Sequence, residues 1–169
     1  MKLSFNLTNH GAKITHLNVR EEKHGDEPII AIDIKIETDV HNDFLSYLSP
    51  TLKWSLYSKN PNQGELIEDE THLPALRYQE LGLIGWDGEM DKAMAVFHGA
   101  KKSDDIDLEC EVDKLRFTCR DGGTVTIVFR IKVLPTPAQS AMLMCLLGKE
   151  TRISVRPLDA EEFDERPAG

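Results

Sequence analysis

"RFTCRDGGTVTIVFRIK" (116–132) decides the fold, because its two halves alternate on either side of a glycine turn. Phe117, Cys119, Val125, Ile127, Phe129 and Ile131 share one parity, while Arg116, Arg120, Arg130 and Lys132 share the other. A period of two rich in β-branched and aromatic residues marks a strand with one buried face. A two-residue turn at Asp121-Gly122 would set apolar residues opposite polar ones throughout. A three-residue connection, Asp121-Gly122-Gly123, pairs Arg120 with Thr124, Cys119 with Val125, Thr118 with Thr126, Phe117 with Ile127 and Arg116 with Val128. Only this register keeps each face consistent, and glycine supplies the positive φ that such a loop requires.

Carried further, the same register sets Lys114 opposite Arg130, a pairing of like charges that sheets avoid. The preceding apolar residues, Ile106, Leu108, Cys110 and Val112, fall on even numbers, so the parity slips at Asp113-Lys114. A bulge or bend is expected there. Asp105, Asp107, Glu109 and Glu111 form an acidic row beside the basic one. One reading is that such acids neutralise the cations within the fold. The other makes Lys114, Arg116, Arg120, Arg130 and Lys132 a nucleic-acid or anion-binding face, and Asp105, Asp107, Glu109 and Glu111 a face for a protein partner. Bases in single strands need aromatic stacking platforms. The exposed parity supplies none, since Trp54, Trp86, Tyr47, Tyr57 and Tyr78 lie elsewhere.

Outward from this hairpin, strand patterns dominate. Leu3, Phe5 and Leu7 alternate with polar residues, a second candidate strand runs from about 13 to 20, and "EEKHGDEP" (21–28) supplies turn residues. Ile30, Ile32, Ile34 and Ile36 give the clearest alternation. Leu45, Leu48, Leu52 and Leu56 change to helical spacing, which predicts a short helical insertion at about 43–57, in two turns meeting at a Ser49 cap. Residues 60–75 read as an acidic loop. "ALRYQELGLIGW" and "KAMAVFHG" read as two further strands. Thr136-Pro137 signals the start of a helix over about 137–147 that ends at Gly148. Its apolar run predicts burial of the last two turns, although a Met-rich surface also suits adaptable binding. "TRISVRPL" completes the strands.

These elements predict a mainly β domain, an antiparallel sandwich or partly open barrel, over residues 1–158. Residues 159–169 read as an acidic, disordered tail in which Phe163 stands as a protein-docking residue. That arrangement is broadly similar to the acidic tails of bacterial single-stranded DNA-binding proteins.

The chain has 169 residues and a net charge of −9, which opposes non-specific binding to phosphate while leaving room for a local basic site. There is no apolar run long enough for a membrane helix and no signal-peptide pattern, so no membrane partner and a cytoplasmic location are expected. Cys110, Cys119 and Cys145 form no CxxC and read as core residues. Six scattered histidines form no zinc pattern, and P-loop, dinucleotide and GxSxG motifs are missing. No metal, cofactor or catalytic residue is expected on these grounds. Exposed edge strands invite pairing, so a homodimer joins the expected assemblies.

"EEKHGDE" (21–27), "DFLSYLSPTLKWSLY" (43–57) and "RDGGTVTIVFRIKVLP" (120–135) together resemble a family of small phage and prophage proteins, mostly uncharacterised. The resemblance implies a bacterial host cytoplasm and a role beside DNA replication, recombination or host defence. The expected function is a non-catalytic accessory in phage DNA metabolism, of single-stranded DNA-binding or recombination-associated type. Its partner is then single-stranded DNA or a host or phage DNA-processing protein. The alternative is an inhibitor of a host defence complex, of anti-CRISPR or anti-nuclease type, acting through the acidic rows.

Overall fold

The computed structural model describes residues 2–60 and 70–158. The chain forms strands β1 (Leu7–His24) and β2 (Glu27–His41), then short helices α1 (Leu45–Leu48) and α2 (Leu52–Leu56). A ribbon of β3 (Tyr57–Ser58) and β4 (Ala75–Leu76) follows, then β5 (Ile84–Trp86), β6 (Met90–His98), β7 (Ile106–Cys119) and β8 (Thr124–Val133). Helix α3 (Pro137–Leu146) leads to the last strand, β9 (Glu150–Pro157). Going round the sheet, the order is β7-β6-β9-β1-β2-β8, and β8 pairs again with β7. Every pairing between these strands is antiparallel, and the architecture is a closed six-strand barrel, with β5 added beside β7. Closure removes the two free edges that an open sheet would present.

The alternating isoleucines place Ile32, Ile34 and Ile36 in the interior, where they meet Phe5, Phe97, Phe117 and Phe129. Phe5 stacks edge-on to Phe129 with ring centres 5.4 Å apart, and lies 5.2 Å from Phe44. The interior is therefore a packed core of side chains. β1 and β2 continue past the barrel rim to a turn at Gly25-Asp26, shorter than the 21–28 loop expected from composition. Val19 and Ile30 sit on the inward parity of this arm but are about half exposed, since they lie beyond the rim.

The 43–57 insertion closes one end. Ser49 ends α1, and its hydroxyl accepts the Thr51 N–H at 3.4 Å, so α2 starts two residues later than the cap signal suggested. Tyr57 is fully buried, and its hydroxyl donates to the Arg120 carbonyl at 2.8 Å. Gly122 donates to the Pro74 carbonyl at 2.8 Å, and the Gly123 carbonyl accepts from Asn42 N–H at 2.9 Å. These bonds tie the hairpin loop to the insertion. Lys53 is also buried here, its ammonium bonded to Asp43 and to the Thr71 carbonyl.

Helix α3 closes the other end. β8 ends and β9 begins at that end, because the intervening strands alternate in direction. The Thr136 cap expected from sequence is formed, and Gln139 completes it as a capping box. Burial of the last two turns is not: Leu143 is fully buried and Leu146 partly so, while Met142, Met144 and Leu147 are exposed. The mouth of the barrel has room for one row of the helix. Cys145 is exposed as well, so only Cys110 and Cys119 join the core. The α3 segment from 133 to 148 carries no charged residue.

Residues 61–69, most of the expected acidic loop, and 159–169, the expected tail with Phe163, lie outside the described residues.

Candidate functional site

The hairpin register derived above is the one adopted, with Cys119 opposite Val125, Phe117 opposite Ile127 and Arg116 opposite Val128. The slip falls where parity required it. Between Asp113 and Arg116, β7 takes one more residue than β8, and Lys114 adopts a left-handed φ of 52°. The extra residue changes who faces Arg130: Asp113 does, in place of Lys114. Arg130 donates to both Asp113 oxygens, at 2.7 and 2.6 Å. A bidentate arginine–carboxylate pair is among the stronger polar contacts a protein makes.

The charge ladder continues over the outer face. Lys132 approaches Glu111 at 2.7 Å and Asp113 at 3.6 Å, and Arg20 holds Asp33 through two hydrogen bonds at 2.9 and 3.1 Å. Burial alone would raise the Asp113 carboxyl. The hydrogen bonds and charge of Arg130, with Lys132 behind them, outweigh it and hold the group below the usual carboxylate range. Asp33 follows the same pattern, with Arg20 as the main counterweight to burial. Arg130 and Lys132, two of the five cations singled out by sequence, are thus engaged inside the fold.

Lys114 and Arg116 are not engaged in this way. Among the described residues neither makes an ion pair, and both border a groove of about 380 Å³ with His16, Lys35 and the flank of Arg130. Lys35 comes from β2, opposite Arg130, and it too lacks an ion pair among the described residues. Exposed Leu83 and half-buried Val128 supply the apolar part of the lining. Sequence reasoning missed Lys35 and His16, although their alternation with Ile34, Ile36 and Leu17 placed them on the outer parity. Arg120 is elsewhere, at the hairpin loop, where its backbone N–H donates to the Thr124 carbonyl.

The acidic row divides similarly. Asp107, Glu109 and Glu111 line a second cleft with Asp91 and the arm residues Arg20, Glu22 and His24. Asp105 does not belong to it. One Asp105 oxygen accepts the Gly99 N–H at 2.9 Å, and the other approaches His98 Nδ1 at 3.3 Å. His98 Nε2 in turn lies 2.7 Å from Ser154 Oγ. Sequence reasoning missed this chain, since residues 98, 105 and 154 obey no motif spacing and meet only because β6 lies between β7 and β9.

No group of three or more His, Cys, Asp or Glu side chains among the described residues is arranged to hold a metal ion. No helix is long and apolar enough to cross a membrane among the described residues. Comparison of the chain with protein-family models, curated proteins and solved structures finds no match.

Proposed function

We propose that the chain is a nucleic-acid-binding accessory of phage type, whose groove between β1, β2, β7 and β8 receives the backbone of a single strand. The observation that carries this reading is the bulge at Lys114. It gives Arg130 an internal partner and leaves Lys114, Arg116 and Lys35 without ion pairs to described residues round one concavity. Three cations converging on a groove suit phosphate, which takes charge-assisted hydrogen bonds from lysine and arginine alike. Phe129 borders the groove but its ring is buried in the core, and no exposed Phe, Tyr or Trp side chain lines it, so binding is to backbone and indifferent to base. The net charge of −9 makes the groove a local exception and keeps the affinity modest at physiological salt.

The experiment is fluorescence anisotropy of a labelled single strand at low salt with Lys114→Glu/Arg116→Glu against the unaltered chain. Loss of binding in the double variant supports the reading; absence of binding by the unaltered chain sinks it.

The second cleft favours a second reading, in which Asp91, Asp107 and Glu109 meet a basic protein, as an inhibitor of a defence nuclease would require. Capture of such a partner that is lost on Asp107→Lys supports that reading. For self-association the favoured surface is α3, because two acidic copies repel except where neither carries charge.

A further inference from the structure

Among the described residues two non-glycine residues lie in the left-handed region, and both occur where one strand slips against its neighbour. Lys114 borders the cation groove. Asn9, with φ 44°, borders something different: β1 takes one more residue than β9 between Leu7 and His10, and Ser154 faces this bulge. Left-handed non-glycine residues are strained and gather at functional sites. Arg152 holds Asn9 in place through its Oδ1 at 3.0 Å and its carbonyl at 2.9 Å. The bulge thereby turns the Asn9 N–H onto Ser154 Oγ, at 2.8 Å.

That contact orders the protons. The Asn9 N–H occupies Oγ as an acceptor, leaving the Ser154 hydroxyl proton free to donate to His98 Nε2 at 2.7 Å. For its part, the Asp105 carboxylate is an acceptor only, so His98 Nδ1 must carry the ring proton across the 3.3 Å contact. Nε2 is then the bare, basic nitrogen. The Gly99 N–H on the other Asp105 oxygen holds the carboxylate below its usual range, ahead of the contribution from His98. Gly99 itself is enforced, since a Cβ there would lie 2.4 Å from the Asp104 Cβ and 2.8 Å from its carbonyl oxygen. The loop is folded tightly enough to aim one carboxylate.

We propose that Ser154, His98 and Asp105 form a nucleophile, base and positioning residue for hydrolysis of small anionic esters. The arrangement meets the geometric test for an activated serine: nucleophile bonded to base, base bonded to an orienting acid. It opens into a surface cleft of about 480 Å³, which Lys101 and Lys102 also line. Those two ammonium groups select a substrate with a carboxylate or phosphate beyond the ester.

In the acylation step, Ser154 Oγ bonds the carbonyl carbon as its proton passes to His98 Nε2. The oxyanion forms two bonds from Oγ, and the Asn9 N–H, which meets Oγ at 2.8 Å, can turn its hydrogen bond toward it. Collapse breaks the bond to the leaving alkoxide, which takes the proton from Nε2. Water then adds to the acyl group in the same way, its proton passing through Nε2 back to Oγ, so that ester and water give acid and alcohol. Asp105 keeps the ring in the reactive tautomer and stabilises the imidazolium.

The test uses the full chain and a fluorophosphonate probe, from which an activated serine displaces fluoride. Intact-mass and peptide mapping should find one adduct, on Ser154, forming at a rate that rises from acid to neutral pH as general-base catalysis requires. His98→Ala should slow labelling by about 10²-fold or more and flatten that pH dependence. Asp105→Asn should slow it while leaving the melting temperature within a few degrees. Hydrolysis of p-nitrophenyl hemisuccinate should exceed that of the neutral acetate ester and vanish in Ser154→Ala. A folded, unaltered chain that takes no adduct at Ser154, or one labelled equally fast in His98→Ala, overturns the proposal.

Discussion

Asp113 faces Arg130 across β7 and β8 because Lys114 occupies a left-handed position that shifts the register by one residue. The two hydrogen bonds, at 2.7 and 2.6 Å, would otherwise be replaced by two facing cations. Asp113→Asn should destabilise the fold by about 2 kcal/mol, the scale for losing charge-assisted bonds at a partly buried site. The pH dependence has a definite sign. A carboxyl held low in the folded chain stabilises fully above its unfolded pKa of about 4 and loses that contribution as pH falls toward the folded value. Denaturant titrations at pH 7 and pH 3 should therefore show a smaller acid loss in the variant than in the unaltered chain.

Helix α3 docks through one row of side chains. Leu143→Ala should cost about 3 kcal/mol, since the residue is fully buried and its removal leaves a cavity at the barrel mouth. Met144→Ala, one residue on and 53% exposed, should cost less than about 0.5 kcal/mol. Urea midpoints for the two variants check this asymmetry. Met144→Glu should also suppress any concentration-dependent dimer seen in sedimentation velocity.

Thiol chemistry separates the three cysteines. Cys145 is exposed and should be open to an aromatic disulfide reagent in the folded chain. Burial pushes the Cys110 thiol up to about 12 and also raises Cys119, so both lack thiolate at neutral pH. One equivalent should react in the native chain and three in denaturant.

The loop before β7 depends on Gly99. Gly99→Ala should force the Asp104 backbone outward and carry Asp105 away from His98. The expected outcome is a fall in fluorophosphonate labelling of Ser154 with the barrel intact by circular dichroism.

Much of the barrel was legible because strand periodicity and burial agree. The parity of 116–132 specifies the β7–β8 register, and the parity slip specifies the place of the bulge. What alternation could not supply was the closure of the sheet, since β7 meets β8, β6 and β5 through pairings that span many residues. Helix α3 was misjudged for a related reason. An apolar run says that a helix can be buried, but the width of the barrel mouth decides how much of it is. The site was half legible: Lys114 and Arg116 followed from the hairpin, whereas Lys35 joins them only through the β2–β8 pairing. Ser154 and His98 carry no local pattern, Asp105 reads only as one of an acidic row, and a bulge in a third strand, β1, completes their geometry.

The measurement that bears most directly on the groove is the salt dependence of single-strand binding. If Lys35, Lys114 and Arg116 each neutralise a phosphate, the logarithm of the affinity should fall with the logarithm of salt concentration at a slope of about −2. Lys114→Gln should reduce that slope by about 0.7 and weaken binding equally for all base compositions. A slope near zero, or one unchanged in a Lys35→Gln/Lys114→Gln/Arg116→Gln variant that remains folded, would contradict the account.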